Sequence, residues 1–429
     1  MIELLDDLCK DAVDHILKHK SVRVVSHHDA DGITAAGIIS SALLRKGIQF
    51  HTSIISRLTQ EFLDEICDEM VIFCDMGSSQ PDQLARLDSE IVVLDHHTIQ
   101  GDHSSHVHVN PHLVGIHGSF DLSASGVAYG VARQMGDNVD LSGLAITGAI
   151  GDRQRMSGAN GDILGEAIEH GVITIKRGLN IGDGDLHELL EFTTDPYLDI
   201  TGDPDKVDAF LKELSVEGTL SELSPEDSKR LNSAILLKLM KKSPSDVIDS
   251  VIGDVYILNR EVEKNALNMV RMLNSAGKLK KTGVALSLCL RDDGGIEEAH
   301  ELYIHLQRKL ITELKKAEKN IKVGKNINYL FTDDDDVPSA MSSVLIRHVF
   351  TDRPLIVICP MHNFSKASAR GTMDLISRGL DLSVAMQKAA EAVGGMGGGH
   401  NIASGASVPK DMDDEFIRIV DMVVGGQLN

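Results

Sequence analysis

Residues 24–38, VVSHHDADGITAAGI, place two histidines and two aspartates where an apolar run ends. Charged groups at the mouth of a buried strand must be solvated, paired, or set around something positive. Three further stretches repeat the pattern: Asp75 in FCDMGSS, Asp95, His96 and His97 in VVLDHHT, and Asp152 in ITGAIGDRQR. With His27, Asp29 and Asp31 of the first stretch they form a set of carboxylate oxygens and imidazole nitrogens without a thiolate. That chemistry favours Mn²⁺ or Mg²⁺ over structural zinc. The candidates exceed what one open catalytic ion needs, which points to two ions roughly 3.5–4 Å apart. Such a pair stabilises the attacking and leaving oxygens of an in-line displacement at phosphorus, so the expected substrates are phosphate esters. The histidines at 103, 106, 108, 112 and 117 lie in a loop-rich stretch and receive no role.

The elements that must position these groups are legible as alternation. Helix (2–19), strand (21–26), helix (32–47), strand (49–55), helix (60–67), strand (71–75), helix (80–88) and strand (91–95) follow one another. Short continuous apolar runs between helices are the mark of a parallel sheet covered on both faces. Three of the four clusters follow such strands, so they open on one edge, where ligands gather in α/β sheets. A helix near 122–136 and an apolar segment at 141–152 continue the layer. Residues 185–280 turn polar and acidic with helical period, as in TTDPYLDITGDPDKVDAF and LSPEDSKRLNSAILLKLMKK, and are expected to be a mainly helical insert. From 281 alternation resumes with TGVALSLCL, a charged helix near 301–317, INYLF, a helix near 338–349 and PLIVICP. The acidic run DDDD (333–336) is too short to be low complexity. The expected architecture is α/β in three parts: a catalytic domain 1–184, an insert 185–280, and a smaller α/β domain 281–429.

The segment GGMGGGHNIASGA (394–406) is too rich in glycine for the interior of an element. Consecutive glycines let backbone N–H groups converge on an anion. His400 adds a donor, and Arg370 in SKASARG can grip a phosphate with two parallel bonds. Because the chain returns to IRIVDMVV, the run is expected to be a binding loop inside a folded domain.

Composition limits the alternatives. A length of 429 residues, 42% hydrophobic and 25% charged, fits an ordinary globular protein of two or three domains. No apolar run reaches the roughly 18 residues of a membrane span, and MIELLDDLCKDAVDHILKHK is an amphipathic helix rather than a signal peptide, so no membrane partner and a cytoplasmic location are expected. Five scattered cysteines without a C-x-x-C imply neither disulfides nor a zinc site. A net charge of −22 argues against a generally sticky nucleic-acid binder but leaves room for local basic groups, with 314–325 and 278–281 as candidate tracks. With aromatics at 3%, a broad base-stacking platform is not expected.

The ordered set SHHDADG, DMG, DHH and GDR resembles the DHH phosphoesterases, and GGMGGGH looks like the DHH-associated (DHHA1) domain of their RecJ-type branch. The resemblance covers both ends of the chain and leaves 185–280 aside. It implies metal-dependent phosphodiester hydrolysis between two domains, with two Mn²⁺ or Mg²⁺ ions held by His27, Asp29, Asp31, Asp75, His96 and Asp152. Among these, Asp75 and Asp152 would be catalytic together with His97, a ligand neighbour or phosphate contact. Asp95 would orient the loop from behind. Arg370, His400, Gly397, Gly398 and Gly399 would hold a terminal phosphate or nucleotide. Bacterial RecJ usually has Asp where His27 stands, and its oligonucleotide-binding domain has no room here. His-x-Asp-x-Asp also differs from the longer motif of nano-RNases and cyclic-dinucleotide phosphodiesterases. The pattern looks most like an archaeal RecJ-like exonuclease on single-stranded DNA or RNA. Alternatives are a phosphodiesterase of short or cyclic oligonucleotides, and a replication-fork component bound to GINS and helicase.

Overall fold

The structure is a computed structural model that describes residues 1–240, 243–334 and 337–428. Lys241 and Lys242 of the quoted insert helix, and Asp335 and Asp336 of the acidic run, lie outside the described residues. The chain divides into two compact units: residues 1–177 with 254–303, and residues 178–253 with 304–429.

In the first unit five strands form a wholly parallel sheet: β1 (Ser21–His27), β2 (Gln49–Ile55), β3 (Met70–Cys74), β4 (Glu90–Leu94) and β5 (Val107–Val109). Their order is β2-β1-β3-β4-β5. The chain therefore reverses its direction of winding between β1 and β3, which opens a crevice at the carboxyl ends of those two strands. All five residues of β3 are buried, as are four of five in β4, as expected for a sheet covered on both faces. The helix Ala30–Arg45 is apolar almost all round because it packs against Ala124–Met135 and Ser142–Gly151.

Three local readings change. TGVALSLCL is the helix Thr282–Cys289, not a strand, and it packs on the helix Ala30–Arg45. A Cβ on Gly37 would meet Cys289 Cβ at 2.4 Å, so the two helices touch at a glycine. Short apolar runs carry too little periodicity to separate helix from strand. The expected helices at 60–67 and 80–88 shrink to single turns, Gln60–Leu63 and Pro81–Leu84. Strand β5 falls within the histidine-rich stretch read as loop.

The compact units also divide the chain differently from boundaries at 184 and 280. Residues 254–303 belong with the first unit, where Leu258, Met269, Leu273 and Leu288 join its core. Composition reports that a segment is helical and polar, not which core it completes. The ribbon of β6 (Ile173–Leu179) and β7 (Ile252–Leu258) carries the chain out and back.

In the second unit residues 178–253 are mainly helical, with Leu186–Phe192, Pro204–Leu214 and Pro225–Leu239 around a small core of their own. Residues 304–429 contain a mixed six-stranded sheet: β8 (Lys322–Val323), β9 (Asn328–Phe331), β10 (Leu355–Pro360), β11 (Phe364–Arg370), β12 (Met396–Gly399) and β13 (Ala403–Pro409), in the order β12-β13-β11-β10-β9-β8. Thus the glycine run is an edge strand, not a loop. A Cβ on Gly397 would lie 2.6 Å from Met386 O, because the helix Leu382–Ala392 presses on the strand there. Close approach of backbone to backbone, rather than mobility, explains that glycine.

Candidate metal centre

The carboxyl ends of β1, β3 and β4 bring the acidic and imidazole groups together. His27 closes β1, and Asp29 caps the next helix by accepting from Gly32 N–H. Asp31 sits in that helix's first turn, wholly buried, and accepts from Ala124 N–H at 2.7 Å and Ser125 N–H at 2.9 Å. Those amides open the helix Ala124–Met135, so its positive end faces the carboxylate. Asp75 follows β3 with φ 57°, a left-handed conformation that Asp tolerates better than most residues. Asp152 ends the helix Ser142–Gly151.

Asp75 is the shared member. Its Oδ2 lies 3.3 Å from His27 Nδ1, and its Oδ1 lies 3.3 Å from His96 Nε2. His27 Nδ1 is also 2.9 Å from Asp29, and His96 Nε2 is 3.3 Å from Asp152 and 3.9 Å from Asp31. Three overlapping groups of possible ligand atoms result: His27 with Asp29 and Asp75, Asp31 with His96 and Asp152, and Asp75 with Asp95, His96 and His97. Asp95 and His97 adjoin the first of these through Asp75. Asp95 is engaged elsewhere: Ser78, His96 and His97 donate backbone N–H groups to it, and His97 Nδ1 lies at 2.8 Å.

The electrostatics call for a cation. Burial and the Asp75 charge push Asp31 up to about 6, and burial with Asp31 pushes Asp152 up to about 9. Burial alone would lower His27, but its bonds to Asp29 and Asp75 lift it to about 10. Asp29 falls to about 2, its bond to His27 overcoming burial. His96 rises well above the usual imidazole range, burial being outweighed by Asp75 and Asp31. Asp75 Oδ1 is buried without a hydrogen-bond partner, a costly state for a carboxylate oxygen unless a cation faces it. This orphaned atom and the all-oxygen-and-nitrogen donor set fit a divalent metal.

Several supporting residues escaped sequence reading. Gly118 O accepts from His96 Nδ1 at 2.8 Å and from Gln154 Nε2 at 2.8 Å, which leaves His96 Nε2 as the atom facing the carboxylates. Gly148 admits no side chain, since a Cβ would lie 2.4 Å from Asp31 Oδ1. Gln154 follows Asp152 within the quoted GDRQR, so its place was a readable signal; Gly118 had none. Histidines 103, 106 and 108 cluster behind Ser78, with His108 Nε2 2.9 Å from Ser78 Oγ. Burial and His103 push both His106 and His108 down to about 4.

The remaining predicted residues lie in the second unit at one end of its sheet. Arg370 closes β11 opposite Ala403, and Gly399 pairs with Ser404. His400 opens the turn between β12 and β13 and is exposed, its N–H donating to Ala403 O at 2.8 Å. The Arg370 guanidinium donates to Ser339 Oγ at 2.7 Å, Ser343 Oγ at 3.1 Å and Ala369 O at 2.9 Å. A Cβ on Gly398 would meet nothing. In the expected basic tracks Lys316 pairs with Glu313, Lys322 covers the rings of Tyr329 and Phe331, and Lys281 pairs with Glu298. Among the described residues no helix is long and apolar enough to cross a membrane.

Comparison with known proteins shows the family and the fold. The DHH family N-terminal domain matches residues 21–149, and the DHHA1 domain matches residues 326–426. An uncharacterized protein of Methanocaldococcus jannaschii is 34% identical over 439 residues, covering 99% of this chain and 98% of the relative. RecJ of Thermus thermophilus, solved with Mn²⁺, superposes with a TM-score of 0.65 at 16% identity, over 99% of this chain and 55% of that one. The chain thus spans about half the length of that RecJ. CDC45 of Entamoeba histolytica superposes with a TM-score of 0.68 at 10% identity, over 99% of both chains. With both domains matched in order and the whole length shared with a relative, the chain belongs to the DHH family of phosphoesterases and has a RecJ-like fold.

Proposed function

We propose that this chain is a metal-dependent phosphodiesterase, a RecJ-like exonuclease that removes nucleotides from an end of single-stranded DNA or RNA. The observation that carries this reading is the meeting of His27, Asp29, Asp31, His96 and Asp152 around Asp75, whose two oxygens face His27 and His96. His27, Asp29 and Asp75 would hold one Mn²⁺ or Mg²⁺ ion, and Asp31, His96, Asp152 and Asp75 a second. Bound there, such ions neutralise phosphoryl oxygens and lower the pKa of water.

The chain's own groups then have distinct work. Gly118 O and Asp95 fix the rings of His96 and His97. The bond to Asp95 raises His97, so its Nε2 proton is held for a phosphate oxygen of the substrate. Arg370, His400 and the glycines 397, 398 and 399 take a terminal phosphate or nucleotide. The serine hydroxyls at 339 and 343 accept from the guanidinium and so orient it.

The test is digestion of end-labelled single-stranded DNA and RNA with Mn²⁺, against an EDTA control. Stepwise shortening that EDTA abolishes is expected; no cleavage under any divalent ion would remove the hydrolase reading. Cleavage confined to oligonucleotides of a few residues would move the assignment to a short-substrate phosphodiesterase. The likeness of the whole chain to CDC45 supports a second, compatible reading, a replication-fork component docking on GINS and helicase. Co-purification of the full chain with GINS supports it, and its absence counts against it.

A further inference from the structure

The first unit exposes one phenylalanine or tyrosine ring, Phe120, which is 46% exposed. Its immediate neighbours are polar. The Arg155 guanidinium carbon lies 5.1 Å from the ring centroid, and the His117 ring centroid lies at 4.6 Å, tilted by 36°. His117, Ser119 and Arg155 are all exposed. The ring is therefore a single aromatic face set among polar groups, not part of an apolar patch that a folded partner would cover. Among the described residues no carboxylate pairs with Arg155, in a chain whose net charge is −22.

This pair is tied to the metal-competent groups by backbone. Arg155 N–H donates to Phe120 O at 3.0 Å. Two residues before Phe120, Gly118 O holds His96 Nδ1, and three residues before Arg155 stands Asp152, 3.3 Å from His96. Loop 117–121 and loop 152–155 thus fix both the ligand candidates and the Phe120–Arg155 pair.

Resting on the phosphodiesterase reading above, we propose that Phe120 and Arg155 form a stacking platform for one nucleobase of the substrate, beside the phosphate presented to the metal centre. Every base offers a π-face, so stacking on Phe120 tolerates any sequence. The guanidinium lying over the ring adds cation–π attraction and a charge for the adjoining phosphate. The platform selects nucleotides over phosphate esters that lack a base. One ring is compatible with the low aromatic content that excludes a broad stacking surface.

The test is equilibrium binding to the full chain in EDTA, by fluorescence anisotropy, of labelled oligothymidylate and of an equally long tetrahydrofuran-phosphate strand without bases. The expected result is about tenfold tighter binding of the base-bearing strand. Phe120→Ala is expected to collapse that ratio toward one, Phe120→Trp to restore it, and Arg155→Ala to weaken both strands while lowering the ratio. Equal binding of the two strands by the unaltered chain overturns the platform, as does an undiminished ratio in Phe120→Ala. A separate Mn²⁺ digestion distinguishes the two claims. Base discrimination without hydrolysis leaves the platform standing and removes the phosphodiesterase reading, whereas hydrolysis without discrimination does the reverse.

Discussion

The two sheets of this molecule end in contrasting ways. The parallel sheet of the first unit terminates in buried charge: Asp31 and Asp75 are 1% and 4% exposed, and His96 is 7% exposed. The mixed sheet of the second unit terminates in glycine and in Arg370, Gly399 and His400 at one end. Packing offers no reason for several carboxylates at a strand mouth, since each costs free energy unless compensated. Packing does offer a reason for glycine, and at Gly397 it is visible in the carbonyl of Met386. A residue that a fold would reject announces chemistry more clearly than one a fold can also require.

The sharpest way to break this contrast is at Asp75. Asp75→Asn keeps a side chain that accepts the left-handed backbone while removing the charge that His27 and His96 both face. Mn²⁺-dependent hydrolysis should fall by at least about 10³-fold, roughly 4 kcal/mol of transition-state stabilisation, with circular dichroism unchanged. Near-normal turnover would make the cluster structural and erase the difference between the two edges.

Arg370→Ala comes next. Its guanidinium is held by serine hydroxyls, so losing it is expected to cost about 1.5–3 kcal/mol of substrate binding, read mainly in KM. An unchanged kcat/KM would leave the second unit's sheet end without a substrate role.

The glycines then separate packing from binding. Gly397→Ala forces a Cβ to within 2.6 Å of Met386 O and is expected to destabilise by about 1–3 kcal/mol in denaturant unfolding. Gly398→Ala meets open space, so stability should move by less than about 0.5 kcal/mol. A raised KM in Gly398→Ala at unchanged stability assigns that backbone to substrate. Unchanged KM and unchanged stability together would reduce the run to a packing device.

The same contrast explains what could be read without coordinates. His27, Asp75, Asp95 and Asp152 were visible because each interrupts an apolar run; a parallel sheet sends the first three to one edge, and Asp152 ends a helix. The helix Thr282–Cys289 was not, because eight apolar and small residues fit either period and its identity is decided by the groove at Gly37. Strand β12 was hidden for a related reason: a glycine run reads as loop until the helix pressing on it is known. Gly118 stood beyond reach, since its contribution is a carbonyl, which every residue carries.

The smallest expected effect concerns pH, and it sets the first edge apart from the second. In the metal-free chain Asp31 and Asp152 titrate at about 6 and 9, and His27 at about 10, all above their ordinary values. Between about pH 7 and 9, above the range in which the lowered His106 and His108 act, the folded chain therefore binds more protons than the unfolded chain, and stability declines as pH rises. His106 and His108, lowered to about 4, act with the opposite sign as pH falls below about 6.5, and Asp29, lowered to about 2, does so below about 4. Thermal unfolding in EDTA should thus show a lower midpoint at pH 9 than at pH 7. Mn²⁺ must displace the same protons, so its stabilisation should grow over that range, reaching about 2.7 kcal/mol at a hundredfold excess over Kd. A metal-free midpoint that rises with pH would mean the carboxylates are ionised and compensated within the protein itself, and the first edge would then need no cation.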